Sequence, residues 1–165
     1  MPATYEKIAT TTLSSASSTI DFTSIGSGYT DLRLILTYRS SSGFPLTRLR
    51  YNSDSGTNYS VTNFGGDGTS VFNNRTTSQA QISTDTYAGD VTNPTLLIID
   101  IFSYAGSTYK TCLINANEDR NGAGQVTRGV GLWRSTSAIT AINLFTTSAS
   151  YAIGTTATLY GILKA

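Results

Sequence analysis

Thr30-Asp31-Leu32-Arg33-Leu34-Ile35-Leu36-Thr37-Tyr38-Arg39 puts Leu32, Leu34, Leu36 and Tyr38 at every second position. An extended chain points successive side chains to opposite faces, so this period of two predicts a β-strand with a continuous apolar face. The same alternation appears on both sides of it. Ile20 and Phe22 alternate with Thr19, Asp21 and Thr23 over Ser18–Thr23, and Gly26-Ser27-Gly28 then supplies a turn. Leu46–Tyr51 repeats the pattern and ends in the turn cluster Asn52-Ser53-Asp54-Ser55-Gly56.

Further along, Asn63–Asn74 holds Gly65-Gly66-Asp67-Gly68 and Asn73-Asn74, which predicts long loops around a short strand at Ser70–Phe72. Gln79–Thr84 reads as another strand. Thr95–Ser103 and Tyr109–Asn115 are strong strands joined by a turn at Ala105-Gly106-Ser107, and Asn117–Gly124 reads as a polar loop. Gln125–Trp133, Ile139–Thr146 and Thr156–Lys164 complete the set. About ten strands without a helix predict an all-β fold, an antiparallel two-sheet β-sandwich of jelly-roll type. The length suits one domain over 16–165, preceded by an N-terminal arm or edge strand over 1–15.

Composition narrows the chemistry. The chain has no His, one Cys and only two Glu. Without His, neither a Ser-His-Asp nor a Cys-His arrangement can be built, and a His-ligated zinc site is excluded. Paired carboxylates could still cleave a glycosidic bond, but Glu6, Glu118 and the scattered Asp residues show no spacing that singles out a pair. Asp31 and Asp100 are the least turn-like acids, each placed to pair with a nearby Arg. The expectation is therefore a non-enzyme with no cofactor and no metal.

Net charge is +1, which argues against nucleic acid as a partner, and no apolar stretch reaches membrane-spanning length. The N-terminus lacks the charged start and apolar run of a signal peptide, so the expectation is a soluble chain made in a cytoplasm. Cys112 alternates with its strand neighbours and reads as a small buried thiol. Arg outnumbers Lys eight to three, a bias that suits planar hydrogen bonding at subunit contacts.

Two strands are apolar on both faces. Leu96, Ile98 and Phe102 lie opposite Leu97, Ile99 and Ile101, and Leu159 and Leu163 lie opposite Tyr160 and Ile162. A sandwich strand ordinarily has one wet face, so double apolarity predicts a covering loop, arm or second subunit. Leu97, Ile99, Ile101, Tyr160, Ile162 and Trp133 are the candidate interface residues. Asn52-x-Asp54-x-Gly56-x-Asn58 has oxygen ligands at calcium-loop spacing, but it lacks the acidic twelfth ligand and reads as a hairpin turn. Trp133, Tyr59 and Asn58 are candidate glycan contacts, because aromatic rings offer sugars an apolar face beside a polar edge.

Four segments, in order, carry a resemblance. They are Ile20-Asp21-Phe22-Thr23-Ser24-Ile25 leading into Tyr29–Leu34, Leu49–Ser60, Ser137–Ile142, and the closing Ala157-Thr158-Leu159-Tyr160-Gly161-Ile162. Together they resemble small virion proteins of tailed phages, including cyanophages. The resemblance implies a β-sandwich in capsid decoration or tail-knob proteins, assembled as a symmetric oligomer and located in the virion. The leading expectation is a capsid decoration (cement) protein, a homotrimer bound to the major capsid protein or another virion protein. The alternative is a receptor-binding knob of a tail fibre that recognises host glycan.

Overall fold

The computed structural model describes residues 4–87 and 90–163. Twelve strands form among them: β1 Tyr5–Thr12, β2 Thr19–Phe22, β3 Asp31–Tyr38, β4 Leu46–Tyr51, β5 Tyr59–Gly66, β6 Val71–Gln79, β7 Ile82–Tyr87, β8 Thr95–Phe102, β9 Lys110–Asp119, β10 Gly124–Trp133, β11 Ile142–Phe145 and β12 Thr156–Ile162. All pairings are antiparallel. Eight strands make one sheet in the order β1-β12-β3-β8-β9-β10-β5-β6, and four make the other in the order β2-β11-β4-β7. The sandwich is as expected. The split is unequal, and this order lends no support to a jelly roll.

The period-two pattern directs the packing. Leu32, Leu34 and Leu36 of β3, Leu97, Ile99 and Ile101 of β8, and Cys112, Ile114 and Ala116 of β9 all point into the space between the sheets. Ile20, Phe22, Leu49, Tyr51, Ile142 and Leu144 meet them from the smaller sheet. Burying a side chain of this size contributes about 1.5–3 kcal/mol. Five of the ten Tyr residues (Tyr38, Tyr51, Tyr59, Tyr104 and Tyr151) are also core residues. The Tyr104 hydroxyl donates to the Gly26 carbonyl and the Tyr59 hydroxyl to the Asp54 carbonyl, bracing two loops, and the Tyr151 ring meets Tyr38 edge-on at 5.4 Å.

The middle of the chain departs from expectation. Residues read as loop over Asn63–Asn74 form the β5–β6 hairpin. Its turn is held by Asp67, whose carboxylate accepts hydrogen bonds from the Thr69 and Ser70 amides, while Gly68 takes φ +89°. Those bonds pull the Asp67 carboxyl down to about 2. Gly65 admits the Phe72 ring, which would lie 2.4 Å from a Cβ there. β9 runs on to Asp119, well into the segment expected as loop. The arm-or-edge segment supplies the edge strand β1, paired with β12. Lys164 lies outside the described residues.

Candidate interaction surface

Pairing registers define the outer face of the larger sheet row by row. One row runs Ile35, Ile98, Asn115, Arg128, Phe64 and Asn73 across β3, β8, β9, β10, β5 and β6. The next runs Arg33, Asp100, Leu113, Val130, Thr62 and Arg75. The smaller sheet packs against the opposite face of this sheet. The outer face therefore exposes Phe64 (62%), Leu113, Val126, Val130 and Val71 to solvent.

These residues cluster on the β9-β10-β5-β6 half. An apolar hollow there is lined by Thr62, Phe64, Leu113, Asn115, Arg128 and Val130, with a volume of about 310 Å³. A second hollow beside it is walled by Phe64, Val71, Val126 and Arg128. Arg75 and Arg128 are the cations of this half, and among the described residues neither forms an ion pair. In the other half Arg33 already has a carboxylate partner. Arg33 grips Asp100 through two bonds of 2.5 and 2.9 Å, and Tyr5 lies 5.5 Å beneath its guanidinium. The expected pairing of Asp100 with an Arg is thus present. Asp31 instead accepts the Ser103 amide.

Several candidate residues sit elsewhere than expected. Leu97, Ile99 and Ile101 point inward and are at most 1% exposed, so they are core rather than interface residues. The solvent face of β8 carries Leu96, Ile98 and Phe102. The double apolarity was legible, but assigning a face requires knowing which side the smaller sheet covers. Tyr160 and Ile162 do lie on the outer face, half-buried.

Trp133 and Tyr59 are buried, at 3% and 0% exposure, and cannot form a glycan platform or a subunit contact. Their rings stack at 6.3 Å, and Trp133 donates its indole N–H to Asp54 at 2.7 Å. Asn58 also donates to Asp54, at 3.0 Å, so its amide braces the turn rather than awaiting a sugar. Partial burial raises the Asp54 carboxyl. Hydrogen bonds from Trp133, Asn58 and Gly56 together outweigh that, and it titrates below its ordinary value.

Asn52 completes the turn. Its side-chain oxygen accepts the Thr140 and Ala141 amides, and its amide donates to the Ala138 carbonyl. The side chains at calcium-loop spacing are therefore engaged: Asn52 joins the β4–β5 turn to the segment before β11, and Asp54 and Asn58 tie the turn together and to Trp133.

Cys112 is 1% exposed, wedged against Gly131, and burial raises its thiol to about 11. Reactivity needs an accessible thiolate. Native protein at pH 8 should take up no thiol reagent within minutes, and one equivalent per chain should react after denaturation in guanidinium. Rapid labelling of the native state would show that the core opens at β9.

Comparison of the chain with protein families, curated proteins and solved structures finds no match.

Proposed function

We propose that this chain is a non-enzymatic structural protein of a tailed-phage virion, a capsid decoration protein that docks through the outer face of its larger sheet. The observation that carries the reading is the Phe64–Leu113–Val130 hollow with Arg128 and Arg75 at its margin. Exposed aromatic and aliphatic side chains beside arginine have the composition of an interface centre rather than of ordinary surface. The occupant that fits is a virion protein surface presenting apolar side chains with carboxylates around them. Such a surface buries the hollow and pairs with both guanidinium groups.

The resemblance noted from sequence supplies the virion setting. The absence of His and the engagement of Asp54, Asp67 and Asp100 in structural bonds support a role without turnover. The glycan-binding knob loses its proposed platform, since Trp133 and Tyr59 belong to the core.

The test uses virions of the phage whose genome carries this sequence. Mass spectrometry should find the chain in purified particles, and purified protein should co-sediment with capsids stripped of accessory proteins. Phe64→Asp should keep a wild-type circular dichroism spectrum and lose at least about tenfold in capsid affinity. Absence from the particle, or undiminished sedimentation of Phe64→Asp, overturns the proposal.

A further inference from the structure

The hollow on the β9-β10-β5 face holds polar groups that its apolar walls leave unused. Arg128 of β10 lies between Asn115 of β9 and Phe64 of β5, and the next row along is Leu113, Val130 and Thr62. Opposed side chains of an antiparallel pair stand about 5 Å apart at Cβ, so one small group can reach Arg128, Asn115 and the apolar wall together.

Arg128 is exposed, and among the described residues it forms no ion pair. Other guanidinium groups are engaged: Arg33 by Asp100, Arg50 by the Ala80 carbonyl and the Phe145 ring, Arg120 by Glu118, and Arg134 by the Thr57 carbonyl. A free guanidinium presents a planar fork of donors that matches a carboxylate.

Asn115 lines the same hollow, and its side-chain oxygen is buried with no hydrogen-bond partner among the described residues. A buried acceptor without a donor is rare in a folded chain. No bond holds that oxygen in place, so a turn about the last side-chain torsion brings it round to the hollow. A cation, an unfilled acceptor and an apolar recess then lie side by side.

We propose that the hollow takes the free C-terminal residue of a partner chain, one ending in a side chain of leucine or phenylalanine size. Such a residue carries the three matching groups on a single carbon. Its carboxylate meets Arg128, its backbone N–H donates to Asn115 Oδ1, and its side chain enters the recess walled by Phe64, Leu113 and Val130. An internal Asp or Glu has no apolar arm on the carbon that bears its N–H. A fatty acid supplies the carboxylate and the arm but no donor. This anchor rests on the outer face being the docking surface, and it specifies the part of the partner that is gripped.

Nuclear magnetic resonance titration of the nitrogen-15-labelled full chain tests it with four probes: acetyl-Gly-Phe, its C-terminal amide, acetyl-Phe-Glu amide and 3-phenylpropanoate. Acetyl-Gly-Phe should bind in the millimolar range, as suits one anchor residue, and shift the backbone signals of Leu113, Arg128 and Val130. Its amide should bind about tenfold more weakly, having lost the charge-assisted bonds. 3-Phenylpropanoate, without the N–H, should bind about threefold more weakly, and acetyl-Phe-Glu amide should bind more weakly than acetyl-Gly-Phe. Arg128→Gln should lower acetyl-Gly-Phe affinity about tenfold. Asn115→Leu should lower it about threefold and leave 3-phenylpropanoate binding undiminished. Both variants should keep the wild-type circular dichroism spectrum. No binding at millimolar concentration, shifts away from the hollow, any other probe binding as tightly as acetyl-Gly-Phe, or an Arg128→Gln chain of unchanged affinity would each overturn the proposal. If the probes fail while Phe64→Asp still loses capsid affinity, the outer face docks through another contact and only the terminal anchor falls. If the probes bind as expected while capsids are ignored, the anchor stands and the capsid reading falls.

Discussion

Ile99→Asp is expected to yield no folded chain. Ile99 is fully buried on β8, between Leu34 of β3 and Ile114 of β9, with its side chain turned toward the smaller sheet. An aspartate there is flanked by Leu34 and Ile114, and the buried Lys110 already donates to the Gly106 and Thr108 carbonyls, so the carboxylate must either lose its charge or hydrate the core. Burying an uncompensated ionised carboxylate costs far more than a hydrogen bond can return. Domains of this size have about 5–15 kcal/mol of stability in total, and an unpaired charge buried this deeply, together with the lost packing of Ile99, costs an amount comparable to it. Far-ultraviolet circular dichroism and urea unfolding read the result. Ile98→Asp, one residue along on the half-buried outer face, should cost only about 1–2 kcal/mol and remain folded. If Ile99→Asp unfolds at the wild-type urea midpoint, the assignment of the two faces of β8 is wrong.

Asp54→Ala is expected to cost about 2–3 kcal/mol, because it strips hydrogen bonds from three donors at once. The Trp133 indole N–H at 2.7 Å, the Gly56 amide at 2.8 Å and the Asn58 amide at 3.0 Å all converge on this carboxylate. The indole suffers most, since Trp133 is packed against Tyr51 and Tyr59 and cannot turn to water. Near-ultraviolet circular dichroism should lose intensity along with the fall in urea midpoint.

The pH dependence follows in sign. The folded carboxyl titrates below its ordinary 3.8, so its stabilisation is in place above that value and disappears as pH falls through the lower folded one. Asp54→Ala should therefore flatten the acid limb of the stability profile while lowering the plateau at neutral pH. An unchanged acid limb would mean that Asp54 is not the acceptor these donors share.

How much of this could be read from residues alone depended on how many faces of a strand were buried. β3, β4 and β8 were legible because their apolar positions recur every two residues, and β4 was located at its observed bounds. β5 was missed, and β6 was read only as a short strand at Ser70–Phe72, for a physical reason. β6 is largely exposed, so no apolar period marks it, and Gly65 of β5 serves close packing of Phe72 rather than a turn. The expected interface failed on β8 for the opposite reason. Apolar residues on both faces announce an outer surface that wants cover, but chain-local pattern does not say which parity faces the second sheet.

The glycan candidates show a different limit. Tyr59, Asn58 and Trp133 do come together, as their shared proposal required, yet around a carboxylate inside the turn. Asp54, four residues from Asn58 and remote in sequence from Trp133, was the organising group. Its only advance signal was its place in an Asn-Asp-Gly turn cluster. The exposed group proposed for docking, Phe64 with Leu113, Val130 and Arg128, is assembled from three strands and has no motif of its own.

The unequal sheets carry an evolutionary consequence. Because alternate residues on β5, β9 and β10 serve the interior, their in-between neighbours have no structural duty and can be rewritten one by one while the scaffold holds. A lineage could thus rewrite the chemistry of a single broad plate through a few substitutions while the interior residues stay unchanged.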